Sequence, residues 1–530
     1  MPHRKASEAG SSDILFVNPL HPYNHYFTQP ELVRLMRKKN SLAPLSLALL
    51  AALTPDTYST MVWDEDVMPL DPRAVKAKLV GIKVVTPASV RAYGLADRLR
   101  AAGATVVFGG PHITATTAEA ALVHADAVVV GEAEGVWPGL LDDFGRGAMQ
   151  KVYSAEGLIP YARAVPPRWD LFDTRAYLSL PVQASRGCPY NCEFCNVSAT
   201  YGRTVRVRDI DNVVEEVASL PLKRVFFVDD NISINRRFAR DLMQGLAGTG
   251  ITWYCQASID IADDAQLLKA MAAAGCENIL VGFESLNSAN LLDVDKLHNL
   301  RRDYKEAVRK INAAGIHVQA TFMFGLDNDT LDDLERLNRF SLDAPLPFLS
   351  LSFVAAAPGT RLEERVKKEG RLYPIPPEIN GGLYPSIRHP SIGPLTQYNA
   401  FVDTLQKMYG FDAVYQRARA LFSSGHFAGA KKDTEVSFAD KIRFSILLVR
   451  AYLFTNDKWR RRLFLYLFSL IRLKTVAPER AVVFLMTMHA YSLSVEKILS
   501  QRGRNLAVIK AYTGGEGKNN QVTCGDRVAE

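Results

Sequence analysis

The chain has 530 residues, 48% of them apolar, which is long enough for about three domains with sizeable cores. Its formal charge is +7, but from Phe401 onward there are 21 Lys and Arg against 11 Asp and Glu, an excess of ten that leaves the first 400 residues at −3. A basic excess confined to one end is no general signature of nucleic-acid binding. The first dozen residues lack the apolar core of a secretory signal, and no uninterrupted apolar run of about 18 residues marks a spanning helix. Six cysteines in a long chain without such a signal do not make a disulfide framework, and a reducing, cytoplasmic location is expected.

Residues 1–12 are polar and read as disordered. Residues 13–145 alternate short apolar strands, at 14–17, 58–63, 79–85, 105–108 and 127–130, with helical patterns at 89–101 and 117–124. That alternation predicts a parallel sheet covered on both faces, with ligands bound beyond the carboxyl ends of its strands. Those ends carry Asn18-Pro19, Thr86-Pro87, Gly109-Gly110-Pro111-His112 and Gly131-Glu132. The glycine pair allows backbone to come close to a bulky ligand. No Gly-x-Gly-x-x-Gly follows the first strand, which disfavours a dinucleotide.

Residues 146–180 form a connector with Pro160, Pro166 and Pro167. A second domain, 181–365, has strands expected at 182–185, 224–228, 252–257, 278–283, 317–324 and 348–353, with amphipathic helices between them, for example at 265–274 and 304–313. Six such β/α units fit a partial barrel, where function gathers at the carboxyl ends of the strands. The first of these ends leads into Arg186-Gly187-Cys188-Pro189-Tyr190-Asn191-Cys192-Glu193-Phe194-Cys195. Cys188, Cys192 and Cys195 can ligate three irons of a four-iron cube, which leaves the fourth iron open to a substrate or cofactor. A zinc site would ask for four ligands, commonly in Cys-x2-Cys pairs. The remaining cysteines are scattered: Cys255 and Cys276 read as small buried hydrophobes, and Cys524 lies in the tail. Later strand ends carry Asp229-Asp230-Asn231, Gln256-Ala257-Ser258, Gly282-Phe283-Glu284-Ser285 and Met323-Phe324-Gly325-Leu326. Each has an ordinary reading too: a helix N-cap before Arg236 for the first, a turn serine for the second, a solvated loop glutamate for the third.

Residues 366–395 are Pro- and Gly-rich and read as an irregular linker. Residues 396–513 turn helical, with wide apolar faces and basic flanks at 441–453, 459–473 and 479–499, and 514–530 read as a disordered tail. Arg460-Arg461-Arg462 precedes Leu463-Phe464-Leu465-Tyr466-Leu467-Phe468. A basic amphipathic helix is the form of a segment lying on an anionic membrane. A helical cap over the barrel mouth, with its arginines solvated, is the favoured reading, and peripheral membrane contact stays open as the other.

The cysteine loop, with its aromatic Phe194 before the last cysteine, resembles the radical S-adenosylmethionine (SAM) superfamily. The segment before it, with Phe108-Gly109-Gly110-Pro111-His112 and Val130-Gly131-Glu132-Ala133-Glu134, resembles the cobalamin-binding domain ahead of many members. Pro358-Gly359-Thr360 is similar to that branch as well, and the C-terminal helices faintly resemble those of members acting on hopanoid lipids. The resemblance covers most of 13–365. It implies an α/β fold, with a Rossmann-like cobalamin-binding domain, then a radical SAM partial (β/α)6 barrel, then a helical region. It implies a [4Fe–4S] cluster on Cys188, Cys192 and Cys195. SAM contacts are implied at Phe194, Asp229, Asp230, Ser258 and Glu284, and cobalamin contacts at Asn18, Thr86, Gly109, Gly110, Gly131 and Glu132. Lys296 and Asn299 follow Glu284 in a pattern seen in relatives, and the 323–326 strand end is where relatives pack the adenine. One departure stands out: Asn18-Pro19-Leu20-His21-Pro22-Tyr23-Asn24 lacks the Asp-x-His-x-x-Gly of many cobalamin proteins, which sets His21 aside as a cobalt ligand. The implied activity is radical methylation of an unactivated carbon of a small molecule or lipid, with an external one-electron reductant of flavodoxin or ferredoxin type. A radical cyclisation or rearrangement is the enzyme alternative, and a non-catalytic corrinoid or iron–sulfur carrier the alternative of another class.

Overall fold

The structure is a computed structural model. It describes residues 12–21, 30–116, 118–155, 157–423 and 438–514, so nearly all of the expected disordered termini, and Cys524, lie outside the described residues.

In the first 155 residues the strands are β1 (Ile14–Asn18), β2 (Asn40–Leu42), β3 (Thr60–Asp64), β4 (Leu79–Lys83), β5 (Thr105–Gly109), β6 (Ala127–Val130) and β7 (Val152–Ser154). All except β2 form one sheet in the order β3-β1-β4-β5-β6-β7, every pair parallel. Side chains alternate between its faces. Leu15, Val17, Val80, Ile82, Val106 and Phe108 enter one apolar cluster, while Ile14, Phe16, Val107 and Val129 enter the other. The sheet is therefore buried on both sides, as its near-continuous apolar strands require. Strand order reverses beside β1, which sets a crevice outside the carboxyl ends of β1 and β4. The edge strand β7 comes from the segment expected to be a connector.

The second sheet uses β8 (Tyr177–Val182), β11 (Arg224–Phe227), β12 (Thr252–Ala257), β13 (Cys276–Glu284), β14 (His317–Phe324) and β15 (Phe348–Phe353); β9 (Ser185–Arg186) and β10 (Arg206–Val207) form a small antiparallel pair beside it. The order is β15-β14-β13-β12-β11-β8-β2, so β2, from the first segment, adds a seventh strand by pairing Asn40 with Tyr177 and Leu42 with Ser179. The first barrel strand begins at Tyr177 rather than at 182. Pro181 argues against a central strand by sequence, but β2 ends opposite Ser179, so at Pro181 one side of β8 is free and the missing N–H is not needed.

Alternation along this sheet separates two faces. Val318, Ala320, Phe322 and Phe324 of β14 are buried while the residues between them are partly open, and β12 repeats the pattern. The buried set faces helices: Phe322 packs against Phe340 of the helix Leu331–Asp343. The partly open set, including Phe226, Tyr254, Leu280, Thr321, Met323 and Ser352, lines the barrel interior. Phe226 and Tyr254 stack there at 4.6 Å, and Tyr254 Oη meets Ser179 Oγ at 2.6 Å. Between Arg224 at the foot of β11 and Glu284 at the rim, this lining is uncharged.

The C-terminal helices begin beside the carboxyl ends of β14 and β15, where Gln397 lies next to Gly325. They cover the β15 edge: Phe348 stacks on Tyr491, Phe353 meets Phe401 at 4.6 Å, and Tyr409 Oη donates to the Leu349 carbonyl. The helix Pro478–Ser500 also packs against the short helix Pro30–Leu35 beside β2, so this pair bridges the seam between the barrel's edge strands. At its start, Arg480 donates to the Gly315 carbonyl at the amino end of the barrel. By length and composition Pro478–Ser500 could cross a membrane, which the sequence reading did not expect, but 61% of its apolar window is buried in the protein. Its apolar character is thus spent on internal packing.

Candidate functional site

The thiol loop leaves β9 at Gly187, whose φ is +88° and whose Cβ, if it had one, would lie 2.4 Å from the Thr204 carbonyl oxygen. Only glycine fits that turn. The Gly187 N–H donates to Asp230 at 3.0 Å, tying the loop to the end of β11. Cys188, Cys192 and Cys195 are free thiols. Burial pushes all three up, Cys192 to about 11, and Cys195 adds to the rise at both Cys188 and Cys192. Among the described residues no three His, Cys, Asp or Glu side chains gather closely enough for one metal ion. Three thiols on one loop match a cluster that offers each sulfur a different iron. Iron would displace the protons that burial retains.

Around the loop stand the other strand ends. Asp229 is fully buried and turned back, accepting from the Ala184 N–H and Ser185 Oγ, so it builds the β8–β11 junction. Asp230 faces the loop and keeps one oxygen without a hydrogen bond among the described residues. Burial raises it against the pull of the Gly187 N–H and Arg186. Ser258 is held between Asn231, which donates at 2.9 Å, and the Asp260 carboxylate. Glu284 sits at φ +63°, rare for a residue with a side chain, where the β13–β14 register shifts. Neighbours fix that conformation: Asn299 donates to the Gly282 and Phe283 carbonyls and Tyr304 to the Phe283 carbonyl. Lys296 meets Glu284 at 3.0 Å. Burial pulls this ammonium down, but Glu284 and Cys192 outweigh it and hold the lysine above its ordinary range. Phe194 packs into the apolar cluster around Val294, Leu326 and Val354, with Lys296 Nζ 5.8 Å from its ring centre.

The expected residues of the first sheet lie at its carboxyl ends, but several are engaged already. Asn18 donates to Asp64 and Asp66. Thr86 Oγ1 meets His112 Nδ1 at 3.1 Å while Tyr93 Oη meets His112 Nε2 at 3.0 Å, so both ring nitrogens are occupied. Gly110, at φ +107°, is needed because a Cβ would lie 2.8 Å from the Val84 carbonyl oxygen. Gly109 and Gly131 leave more room, with nothing nearer than 3.8 Å to a Cβ. Glu132 accepts from Arg186, from Arg206 and from the Ile159 N–H. Burial raises Glu132, but the two arginines outweigh it and keep the carboxylate ionised. The short helix Pro111–Ala115 after β5 packs against the helix Val197–Tyr201 after Cys195, and Gly359 abuts Ala115. The carboxyl ends of both sheets therefore meet, with the glycine-rich ends on one side and the thiol loop on the other. Those small ends can seat a large flat ligand, and the thiols fit a cluster.

Sequence reasoning passed over the groups that brace this arrangement. Arg186 pairs with Glu132 at 2.9 Å and Glu134 at 2.5 Å, and lies 4.2 Å from the Tyr161 ring centre. Arg365 forks onto both oxygens of Glu193, between two of the cysteines, at 2.7 and 2.9 Å and also reaches Asp327. Tyr190 stacks on His298 at 3.9 Å, whose pKa falls to about 4 through burial and the nearby Lys296 charge. Arg186 directly precedes the cysteine motif, but the carboxylate partners of the two arginines lie 38 to 172 residues away. A groove of about 560 Å³ opens outside the rim between Arg236 and Arg302; its arginines are paired with its own aspartates, and none of the thiols lines it.

A Rossmann-like sheet meeting a partial β/α barrel across a three-cysteine loop defines a class of redox enzyme scaffold. Residues 182–341 match the Radical SAM superfamily. The chain is 32% identical over 342 residues to a bacteriochlorophyllide d C-12(1)-methyltransferase of Chlorobaculum tepidum, covering 62% of this chain and 74% of that one. It is 30% identical over 351 residues to a hopanoid C-2 methylase of Rhodopseudomonas palustris, covering 62% and 65%. In fold it is similar to the radical SAM methyltransferase TsrM from Kitasatospora setae, solved with cobalamin and a [4Fe–4S] cluster, with a TM-score of 0.58 at 14% identity over 92% of this chain and 99% of that one. The chain belongs to the radical SAM superfamily.

Proposed function

We propose that this chain is a cobalamin-dependent radical SAM methyltransferase acting on an unactivated carbon of a small molecule or lipid whose reacting part is apolar and uncharged. The meeting of the two strand-end faces, thiol loop against glycine-rich ends, carries this reading. Cys188, Cys192 and Cys195 would hold a [4Fe–4S] cluster, the rim of Asp230, Ser258 and Glu284 would receive SAM, and the ends of β4, β5 and β6 would seat cobalamin. When bound, these groups supply a hydrogen-abstracting carbon radical and a methyl donor. The chain orients and encloses them. Asp230 offers an acceptor oxygen suited to an ammonium group, and the strained Glu284 is held in place by Lys296, Asn299 and Tyr304. The neutral interior around Phe226, Tyr254, Leu280 and Met323 favours an apolar guest and disfavours a charged one. Relatives that methylate a bacteriochlorophyllide and a hopanoid support transfer to carbon. The reading includes an external one-electron donor of flavodoxin or ferredoxin type.

The test is anaerobic. The protein is reconstituted with iron, sulfide and cobalamin, reduced, given SAM and a panel of apolar polycyclic substrates, and assayed for 5′-deoxyadenosine and S-adenosylhomocysteine. Both products together with a substrate mass gain of one methylene are expected. 5′-Deoxyadenosine without S-adenosylhomocysteine at full substrate turnover would replace methylation by a radical rearrangement. Neither product from a protein with an intact cluster would overturn the reading.

A further inference from the structure

Sixteen large apolar side chains are exposed among the described residues, and seven of them fall within 442–483: Ile442, Ile446, Phe454, Leu465, Phe468, Leu473 and Val483. Such crowding marks an interaction surface where scattered single residues would not. It is sharpest on the helix Lys458–Arg472. That helix buries only Leu463 and Leu467, and its outer stripe runs through Arg461, Arg462, Leu465, Phe468 and Arg472 at helical spacing. Leu465 and Phe468 are 55% and 58% exposed, and the ends are marked by Phe454 at 77% and Leu473 at 69%. The helix is about 22 Å long at 1.5 Å per residue.

The charge on this face has one sign. Between Lys458 and Lys474 there are six Lys and Arg and no Asp or Glu. Arg460 is engaged with Glu496. Arg461, Arg462, Arg472 and Lys474 make no ion pair among the described residues, although Arg462 lies 4.9 Å from the Trp459 ring centre. Unpaired cations beside projecting Leu and Phe fit a partner that is apolar within and anionic at its surface. Long basic side chains can stay in the wet layer while the apolar ones go deeper. A second copy of the same face would set cation against cation.

We propose that this helix lies flat on an anionic lipid membrane, with Phe454, Leu465, Phe468 and Leu473 inserted at the headgroup–acyl boundary and Arg461, Arg462, Arg472 and Lys474 on lipid phosphates. The contact holds the barrel against a lipid surface without a spanning segment, and does not depend on which reaction the barrel performs.

The test uses the full chain without added cofactors and sucrose-loaded vesicles, either of phosphatidylcholine alone or of equal parts phosphatidylcholine and phosphatidylglycerol. Sedimentation with the anionic vesicles only, reversed by high salt, is expected. The double variants L465S/F468S and R461Q/R462Q, which alter exposed side chains only, should each weaken the partition coefficient at least about tenfold while keeping the wild-type circular dichroism and melting temperature. No sedimentation of wild-type protein, or sedimentation that both folded variants retain, would overturn the proposal. So would a vesicle-free dimer that L465S/F468S converts to monomer, which would assign the face to a second copy.

Discussion

In the proposed cluster each thiol of the loop would do separate work, because a cube presents one iron to each sulfur. Cys192 is the most enclosed of the three, at 7% exposure. Cys192→Ala should therefore reduce iron and acid-labile sulfide to background with little effect on folding, checked by metal analysis beside circular dichroism; full iron and sulfide content in the variant would remove the cluster assignment. The Glu284–Lys296 pair is a different case. Both partners are nearly buried, so removing one leaves the other desolvated and unpaired, at a cost of about 3–5 kcal/mol. Lys296→Met should lower denaturant stability by an amount of that order. Lys296→Met combined with Glu284→Gln should recover much of the loss, because no buried charge remains. SAM-dependent turnover should stay low in both. Recovery of activity with stability would make the pair a folding device only.

At the scale of elements, the thiol loop is clamped from outside. The helix Arg361–Lys368 brings Arg365 onto both oxygens of Glu193 and onto Asp327, which Arg371 also grips with two bonds. A lysine cannot reproduce the planar fork. Arg365→Lys should speed iron loss to a chelator about tenfold, the equivalent of roughly 1.4 kcal/mol, with the melting temperature changed little; an unchanged rate would deny the clamp. A second joint links β3 to β8, where Tyr177 donates to Asp64 at 2.8 Å. Burial, and then the neighbouring Asp66, push Asp64 from 3.8 up to about 6. Between those values the folded chain holds a proton that the unfolded chain has released, so stability falls as pH rises through this window and levels off above it. The stability of the wild type relative to Asp64→Asn should fall from about pH 4 to about pH 6 and stay flat at higher pH. A flat difference throughout would mean that Asp64 titrates normally. Elements of this kind were partly legible. Alternation of apolar strands and helices announced both parallel sheets, and the strand starts of β11, β12, β14 and β15 coincide with the sequence pattern, since every second residue faces helices. Three residues of β2 carry too little pattern to announce a strand, and Pro181 masked the start of β8.

At the scale of the whole molecule, two sheets with unrelated cores must hold their carboxyl ends in register, and sequence pattern is silent about that. Glu132 shows why. In the sequence it is one polar residue after a strand, at a position where a ligand contact is the natural reading. In the fold it is the acceptor for Arg186, which opens the thiol loop, and for Arg206, which pairs with that loop's base through β10 and β9. The information lies in a three-way contact between positions 54 and 74 residues apart, which no local spacing encodes. Arg186 is 5% exposed, so Glu132→Ala would leave a guanidinium buried with Glu134 as its remaining carboxylate. A loss of about 3–5 kcal/mol is expected, appearing in calorimetry as an earlier transition that separates the first domain from the barrel. Glu132→Gln keeps the shape and two acceptor lone pairs but no charge, and should fall between wild type and Glu132→Ala. If Glu132 instead served mainly to contact a cofactor, both variants would melt like the wild type and differ only in cobalamin affinity. A brace predicts the reverse: joined melting is lost first, and cluster content declines with it because the loop has lost its anchor.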